Sequence, residues 1–150
     1  MSKFIHHTIF YPQKPELVWE FLTVPALIAQ WLMPNDFEPI LGHEFQFRTG
    51  PLPKFDFDGI VYCRVLEITP PKKLVYSWKG GPGDGSINMD SVVTFTLTEK
   101  DNGTELTLDH SGFKILTNLD IFAALNGGWL KNITKIATLL NTAQHGHANV

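Results

Sequence analysis

The residues with the most chemical promise are the histidines, a scatter of carboxylates and one glycine-rich run, and their spacing decides what they can do. Asp109-His110 sets an acid beside an imidazole, the pairing a nucleophilic triad uses to orient its base. Both fall in an alternating run, Thr104–Ser111, so their side chains point to opposite faces of a strand and cannot bond to each other. No Gly-x-Ser-x-Gly elbow precedes a helix, so a hydrolase of that kind is not expected. His6-His7 diverge for the same reason, and His145-x-His147 lies in a tail of small and polar residues. Without paired cysteines or a His-Glu-x-x-His pattern, neither a metal nor a cofactor is expected. Gly80–Gly85 holds four glycines in six residues, but no Lys-Ser/Thr follows and the next element is a strand. It therefore reads as a flexible rim and not as a phosphate cradle. Asp56 and Asp58, at i and i+2, would share a strand face and read as solvated edge carboxylates.

His110 is different, because alternation places it with Leu106 and Leu108 on an apolar face. There it is either a hydrogen-bonded core residue or the polar contact of an otherwise apolar pocket, able to donate, accept or titrate. Tyr76 and Trp78 share a strand face and pose the same alternatives. The chain carries 11 Phe, 4 Trp and 3 Tyr, and a curved sheet under a single helix need not meet it everywhere. Any gap would be a concave, mostly apolar pocket, the usual character of a small-molecule site.

The elements that must position these residues follow from periodicity. Phe122, Leu125, Trp129, Ile133, Ile136 and Leu140 recur in steps of 3, 4, 4, 3 and 4, one face of a helix from Asp120 to about Thr142. Such a helix reaches roughly 33 Å, enough to cross a small sheet. Gly127-Gly128 interrupts it, and a glycine inside a helix costs about 0.8–1 kcal/mol relative to alanine. The helix bends or breaks there, or something approaches its backbone too closely for a β-carbon.

Earlier in the chain, residues 3–10 alternate as a strand, Pro15 and Pro25 open two short helices, and runs of period two follow over His43–Thr49, Asp58–Thr69, Leu74–Lys79, Met89–Glu99 and Thr104–Ser111. The near-continuous hydrophobicity of Asp58–Thr69 implies burial on both sides or a bulge that switches faces. Asp101-Asn102-Gly103 supplies a hairpin turn, and Gly112 closes the sheet before the terminal helix. Short connections make neighbouring strands antiparallel.

Bulk composition narrows the partners. The 150 residues are 43% hydrophobic and 18% charged, with a formal net charge of −3, which suits one globular domain and gives no basic surface for nucleic acid. Cys63 is the single cysteine, so no intrachain disulfide is needed. With no secretory signal and no run of about 18 apolar residues, membrane insertion is not expected and a cytoplasmic protein is.

Leu17-Val18-Trp19-Glu20-Phe21-Leu22, Trp31-Leu32-Met33-Pro34, the run Glu67-Ile68-Thr69-Pro70-Pro71-Lys72-Lys73-Leu74-Val75-Tyr76-Ser77-Trp78, and Gly128-Trp129 in the last helical stretch together resemble the Hsp90 ATPase activator homologue family. That family belongs to the START/Bet v 1-like superfamily. The likeness keeps its order over nearly the whole chain. It implies an α+β helix-grip fold: a curved antiparallel sheet wrapped around a long C-terminal helix, two short helices after the first strand, and a cavity between. In that superfamily the cavity commonly takes lipids, sterols, polyketides or other apolar ligands, and some members are cyclases, aromatases or hydrolases. The eukaryotic co-chaperone also has an additional N-terminal domain that contributes to Hsp90 engagement. These 150 residues leave no room for one, which weighs against a chaperone as partner.

Three functional expectations result. The first is a binder of a small apolar or aromatic molecule, with Phe45, Phe47, Tyr76, Trp78, Phe95, Phe122 and Trp129 as walls and His110 and Asn126 as polar handles. No residue is assigned a catalytic role in it. The second is a cyclase-, aromatase- or dehydratase-like enzyme in the same cavity, using His110 or Tyr76 as acid or base. The third is a protein-interaction module of co-chaperone type.

Overall fold

A computed structural model describes residues 4–116 and 119–148, with side chains for residues 4–113 and 121–142. The elements run β1 (Ile5–Tyr11), α1 (Pro15–Thr23), α2 (Pro25–Trp31), β2 (Glu44–Arg48), a 3-10 turn (Pro53–Phe55), β3 (Ile60–Thr69), β4 (Lys73–Gly80), β5 (Met89–Lys100), β6 (Gly103–Leu116) and α3 (Leu119–Ala148). The strands form one six-stranded sheet in the order β1-β6-β5-β4-β3-β2, every pair antiparallel. This is the helix-grip arrangement, with α3 lying on the sheet's inner face.

Alternation sets that face. Ile5 and Tyr11 on β1, Phe45 and Phe47 on β2, Val61, Cys63 and Val65 on β3, and Tyr76 and Trp78 on β4 are all buried. The apolar run in β3 is resolved by a bulge. Val65 pairs with Tyr76, but Glu67 pairs with Val75, so Leu66 is extra and faces solvent while Ile68 returns toward the core. A second irregularity corrects the expected end of the sheet. Gly112, at φ +66°, is where β6 bulges past Ser91 of β5, and the strand continues to Leu116. Asp56 and Asp58 also depart from expectation: Asp56 caps the 3-10 turn at φ +52°, and Asp58 Oδ1 accepts the Ile60 backbone N–H at 3.0 Å. They do not share a strand.

The two short helices begin with proline at their first turns, as expected, and Val24 both ends α1 and precedes α2. Trp31 Nε1 donates to Phe21 O at 2.7 Å and locks α2 onto α1. α3 is continuous through Gly127-Gly128. It is tied to β1 by Tyr11 Oη donating to Ile133 O at 2.6 Å and by His7 Nε2 at 2.9 Å from Asn126 O. No described helix is long and apolar enough to cross a membrane.

Candidate functional site

Sheet and helix leave between them a cavity of about 230 Å³ that opens to solvent. Four elements make its wall. α3 presents Ile121, Ala124, Leu125, Gly128, Trp129 and Asn132, the i, i+3, i+4, i+7 pattern of a single helix face. The sheet supplies Val61, Trp78 and Met89, and the end of α2 supplies Leu32 and Met33. The fourth side is a flap, residues 49–59, contributing Thr49, Leu52, Phe55 and Phe57, with Asn88 beside it. Among the described residues the wall contains no charged side chain, and its polar ones are Thr49, Asn88 and Asn132. A charge would be costly to desolvate against these apolar side chains.

The flap is a small hairpin closed on itself by Leu52 N–H donating to Phe57 O at 2.9 Å. It is pinned to the β4–β5 connection by Asn88 Nδ2, which donates to Phe55 O at 3.2 Å and to Asp56 O at 2.9 Å. Asp58 N–H donating to Gly81 O at 2.8 Å adds a third tie to the glycine-rich run. That run is thus part of the flap's anchorage. A β-carbon on Gly81 would fall 2.2 Å from Ser86 O, so the tight return requires glycine.

At the floor of the cavity a chain of hydrogen bonds runs through buried groups. Trp129 Nε1 donates to His110 Nδ1 at 2.9 Å; His110 Nε2 lies 2.7 Å from Ser91 Oγ; and Ser91 Oγ donates to Trp78 O at 3.0 Å. Because an indole only donates, His110 Nδ1 is the acceptor and the proton sits on Nε2, directed at Ser91. The imidazole stacks on Phe113 at 4.7 Å and meets Trp78 edge-on at 5.5 Å. Burial pushes its pKa down from 6.5 to about 3, so it is neutral at ordinary pH. Both nitrogens are engaged, and the ring orients the two tryptophans on the cavity wall.

Of the nine residues expected to form the site, Trp78 and Trp129 line this cavity. Phe45, Phe47, Tyr76 and Phe95 instead pack edge-on and tilted against one another, with centroids 5.1 to 5.9 Å apart, in a filled part of the core. Phe95 further meets Trp31 and Trp129. Burial pushes the Tyr76 phenol well above its ordinary pKa. His110 lies behind the two tryptophans, Phe122 packs on Phe113 at 5.7 Å, and Asn126 is exposed, its backbone carbonyl facing His7. His6 bonds outward to Asp109 at 2.6 Å. No group of three or more potential metal ligands occurs among the described residues, and the side chains of His145 and His147 lie outside them.

Sequence reading missed the flap and the small face of α3. Phe55 and Phe57 sit in a Pro/Gly-rich loop with no periodicity to reveal them. Gly128 was signalled by its cost, but for a different reason. No described atom lies within 4 Å of where its β-carbon would be, because that position faces the cavity. No close approach forces it.

A curved antiparallel sheet gripping one long helix over a mostly apolar cavity defines a helix-grip protein of the START/Bet v 1-like class. Within that class the chain belongs to the family described as Activator of Hsp90 ATPase homolog 1-like protein, whose model matches residues 12–141. The crystal structure of protein MLL2253 from Mesorhizobium loti is 34% identical, with a TM-score of 0.81 over 93% of this chain and 98% of that one. At 20% identity the Aha1 dimer from Colwellia psychrerythraea superposes with a TM-score of 0.71, covering 90% of this chain and 93% of that chain. DynU16, a protein of the dynemicin biosynthetic locus, is 24% identical with a TM-score of 0.72, over 93% of this chain and 48% of its own. These last two likenesses establish shared fold. No curated protein matches the sequence.

Proposed function

We propose that the protein binds a small, uncharged, apolar or aromatic molecule in the cavity between the sheet and α3. The observation that carries this reading is a 230 Å³ space whose described wall carries no charged side chain and is dominated by Trp78, Trp129, Phe55, Phe57, Met89 and Leu125. Burial at about 25 cal/mol per Å² supplies affinity, and few polar groups set orientation. The chain is read as one domain, and the free, buried Cys63 thiol suits a reducing, cytoplasmic setting.

The enzyme alternative gains nothing from this geometry. His110 has both nitrogens occupied and Tyr76 is sealed among aromatic rings, so neither faces a guest as acid or base. The co-chaperone alternative draws its support from the family alone. Native mass spectrometry and thermal shift against fatty acids, flavonoids and polyketide-like aromatics test the proposal. One-to-one complexes that disappear in Gly128→Leu are expected, and a panel with no binder would overturn it.

A further inference from the structure

Neither polar handle expected of the cavity serves it: both ring nitrogens of His110 are spent inside the core, and Asn126 is exposed. A different asparagine stands on the wall. Ile121, Leu125, Gly128 and Asn132 follow one another along α3 in steps of 4, 3 and 4, and all four line the cavity. At about 100° per residue, Asn132 projects within about 20° of Ile121. It therefore sits mid-stripe, with Ala124 and Trp129 on the flanks. Helical side chains lean toward the helix N-terminus, over the preceding turn. For Asn132 that turn begins at Gly128, where no described atom lies within 4 Å of the missing β-carbon. The carboxamide thus overhangs the open part of the cavity.

Its hydrogen-bonding capacity is unspent. The Asn132 side chain bonds to no described residue, and it is half-buried without being sealed from solvent. Of the other polar side chains in the described wall, Asn88 has committed both amide hydrogens to the flap and Thr49 is exposed. Asparagine is a poor helix former, and here it sets two groups that need partners on an otherwise apolar helix face. A guest that satisfies them relieves that cost. A carboxamide offers a C=O acceptor and an N–H donor side by side. An amide or lactam meets both at once, whereas a ketone or ether leaves Oδ1 without a partner. A benzene-sized guest occupies an apolar cavity of roughly 150 Å³, so the 230 Å³ here suits a two-ring compound.

Building on the cavity-binding reading above, we propose that Asn132 determines specificity and that the guest is an uncharged two-ring aromatic amide or lactam, its rings along the Ala124–Gly128 face. Asn132 Nδ2–H donates to the guest's carbonyl, and Asn132 Oδ1 accepts the guest's N–H.

The test uses 2-naphthamide and 2-acetylnaphthalene, which match in shape and differ by NH₂ against CH₃, titrated into the wild-type protein and Asn132→Leu. The amide-to-ketone affinity ratio should be about fivefold higher in the wild type than in the variant, the worth of one net hydrogen bond. A second readout needs no variant: in ¹⁵N-labelled wild-type protein, naphthamide should shift the assigned Asn132 side-chain N–H resonances downfield. Equal ratios in the two proteins, or naphthamide binding with unmoved Asn132 resonances, overturns the Asn132 assignment and leaves the cavity-binding reading standing. So does binding of the ketone, or of any compound of the apolar panel, where naphthamide fails to bind. Failure of both probes and of the whole panel overturns both readings.

Discussion

Trp129 on α3 and His110 on β6 are joined by a 2.9 Å bond in which the indole N–H meets Nδ1 of the imidazole. That contact fixes the tautomer, passes the remaining ring proton to Ser91, and couples the long helix to the middle of the sheet at the cavity floor.

The first prediction concerns acid sensitivity. With a folded pKa near 3 against an ordinary 6.5, His110 takes up a proton far more readily in the unfolded chain. Its contribution is fully present above about pH 6.5 and is lost as pH falls toward 3, by ~2 kcal/mol at pH 5. Urea unfolding at pH 7 and pH 5 should show a loss for the wild type larger by about that amount than for His110→Leu. Equal losses in the two proteins would exclude the neutral, buried imidazole as the source.

Gly127 and Gly128 provide a natural pair. Both should gain about 0.5–1 kcal/mol of helix stability on replacement by alanine. Gly127 is exposed and is not among the described residues lining this cavity, so Gly127→Ala should leave binding of an apolar panel ligand unchanged. Gly128→Ala should raise the melting temperature and weaken binding, and Gly128→Leu should abolish it. Unaltered affinity in Gly128→Leu would mean that the guest sits elsewhere.

Asn88 should behave as a latch. Asn88→Ala removes two hydrogen bonds to the flap carbonyls, each worth roughly 0.5–1.5 kcal/mol. Hydrogen exchange over residues 49–59 should speed by about tenfold while β5 and β6 stay protected, and dissociation of a bound guest should quicken. Uniform acceleration across the sheet would indicate global destabilisation instead.

Tyr11→Phe deletes the bond to Ile133 O while keeping the ring in the core. A loss of about 1 kcal/mol is expected, with no change in guest affinity, since Tyr11 lies outside the cavity wall. Equilibrium unfolding and titration of the same sample separate the two effects.

Much of this architecture was legible in the sequence. Alternation marked the buried faces of β2, β4 and β6, and the 3–4 spacing from Phe122 to Leu140 marked the long helix. The run in β3 was too hydrophobic for one face and left burial on both sides or a bulge open; the structure has the bulge. Less legible was the site, for a physical reason. Aromatic side chains on an inner sheet face look alike whether they close on one another, as Phe45, Phe47, Tyr76 and Phe95 do, or leave a gap, as beside Trp78. The difference depends on how far α3 and the flap stand off the sheet, a long-range distance that no local pattern encodes. Phe55, Phe57 and Asn88 could not be found by periodicity because they lie in irregular segments. Gly128 was visible as an anomaly, but only the surroundings of its missing β-carbon gave it a meaning.

The pairing of β1 with β6 has a consequence for how the chain matures. Ile5 lies opposite His110, so β1 leaves the ribosome long before the strand it pairs with and waits for it. Until then α1, α2 and β1 carry Val18, Phe21, Trp31 and Tyr11 without the surfaces that bury them. Such distant closure slows folding and prolongs the life of sticky nascent intermediates. Translation halted before β6 would therefore release a polypeptide prone to clumping and unable to assemble its sheet.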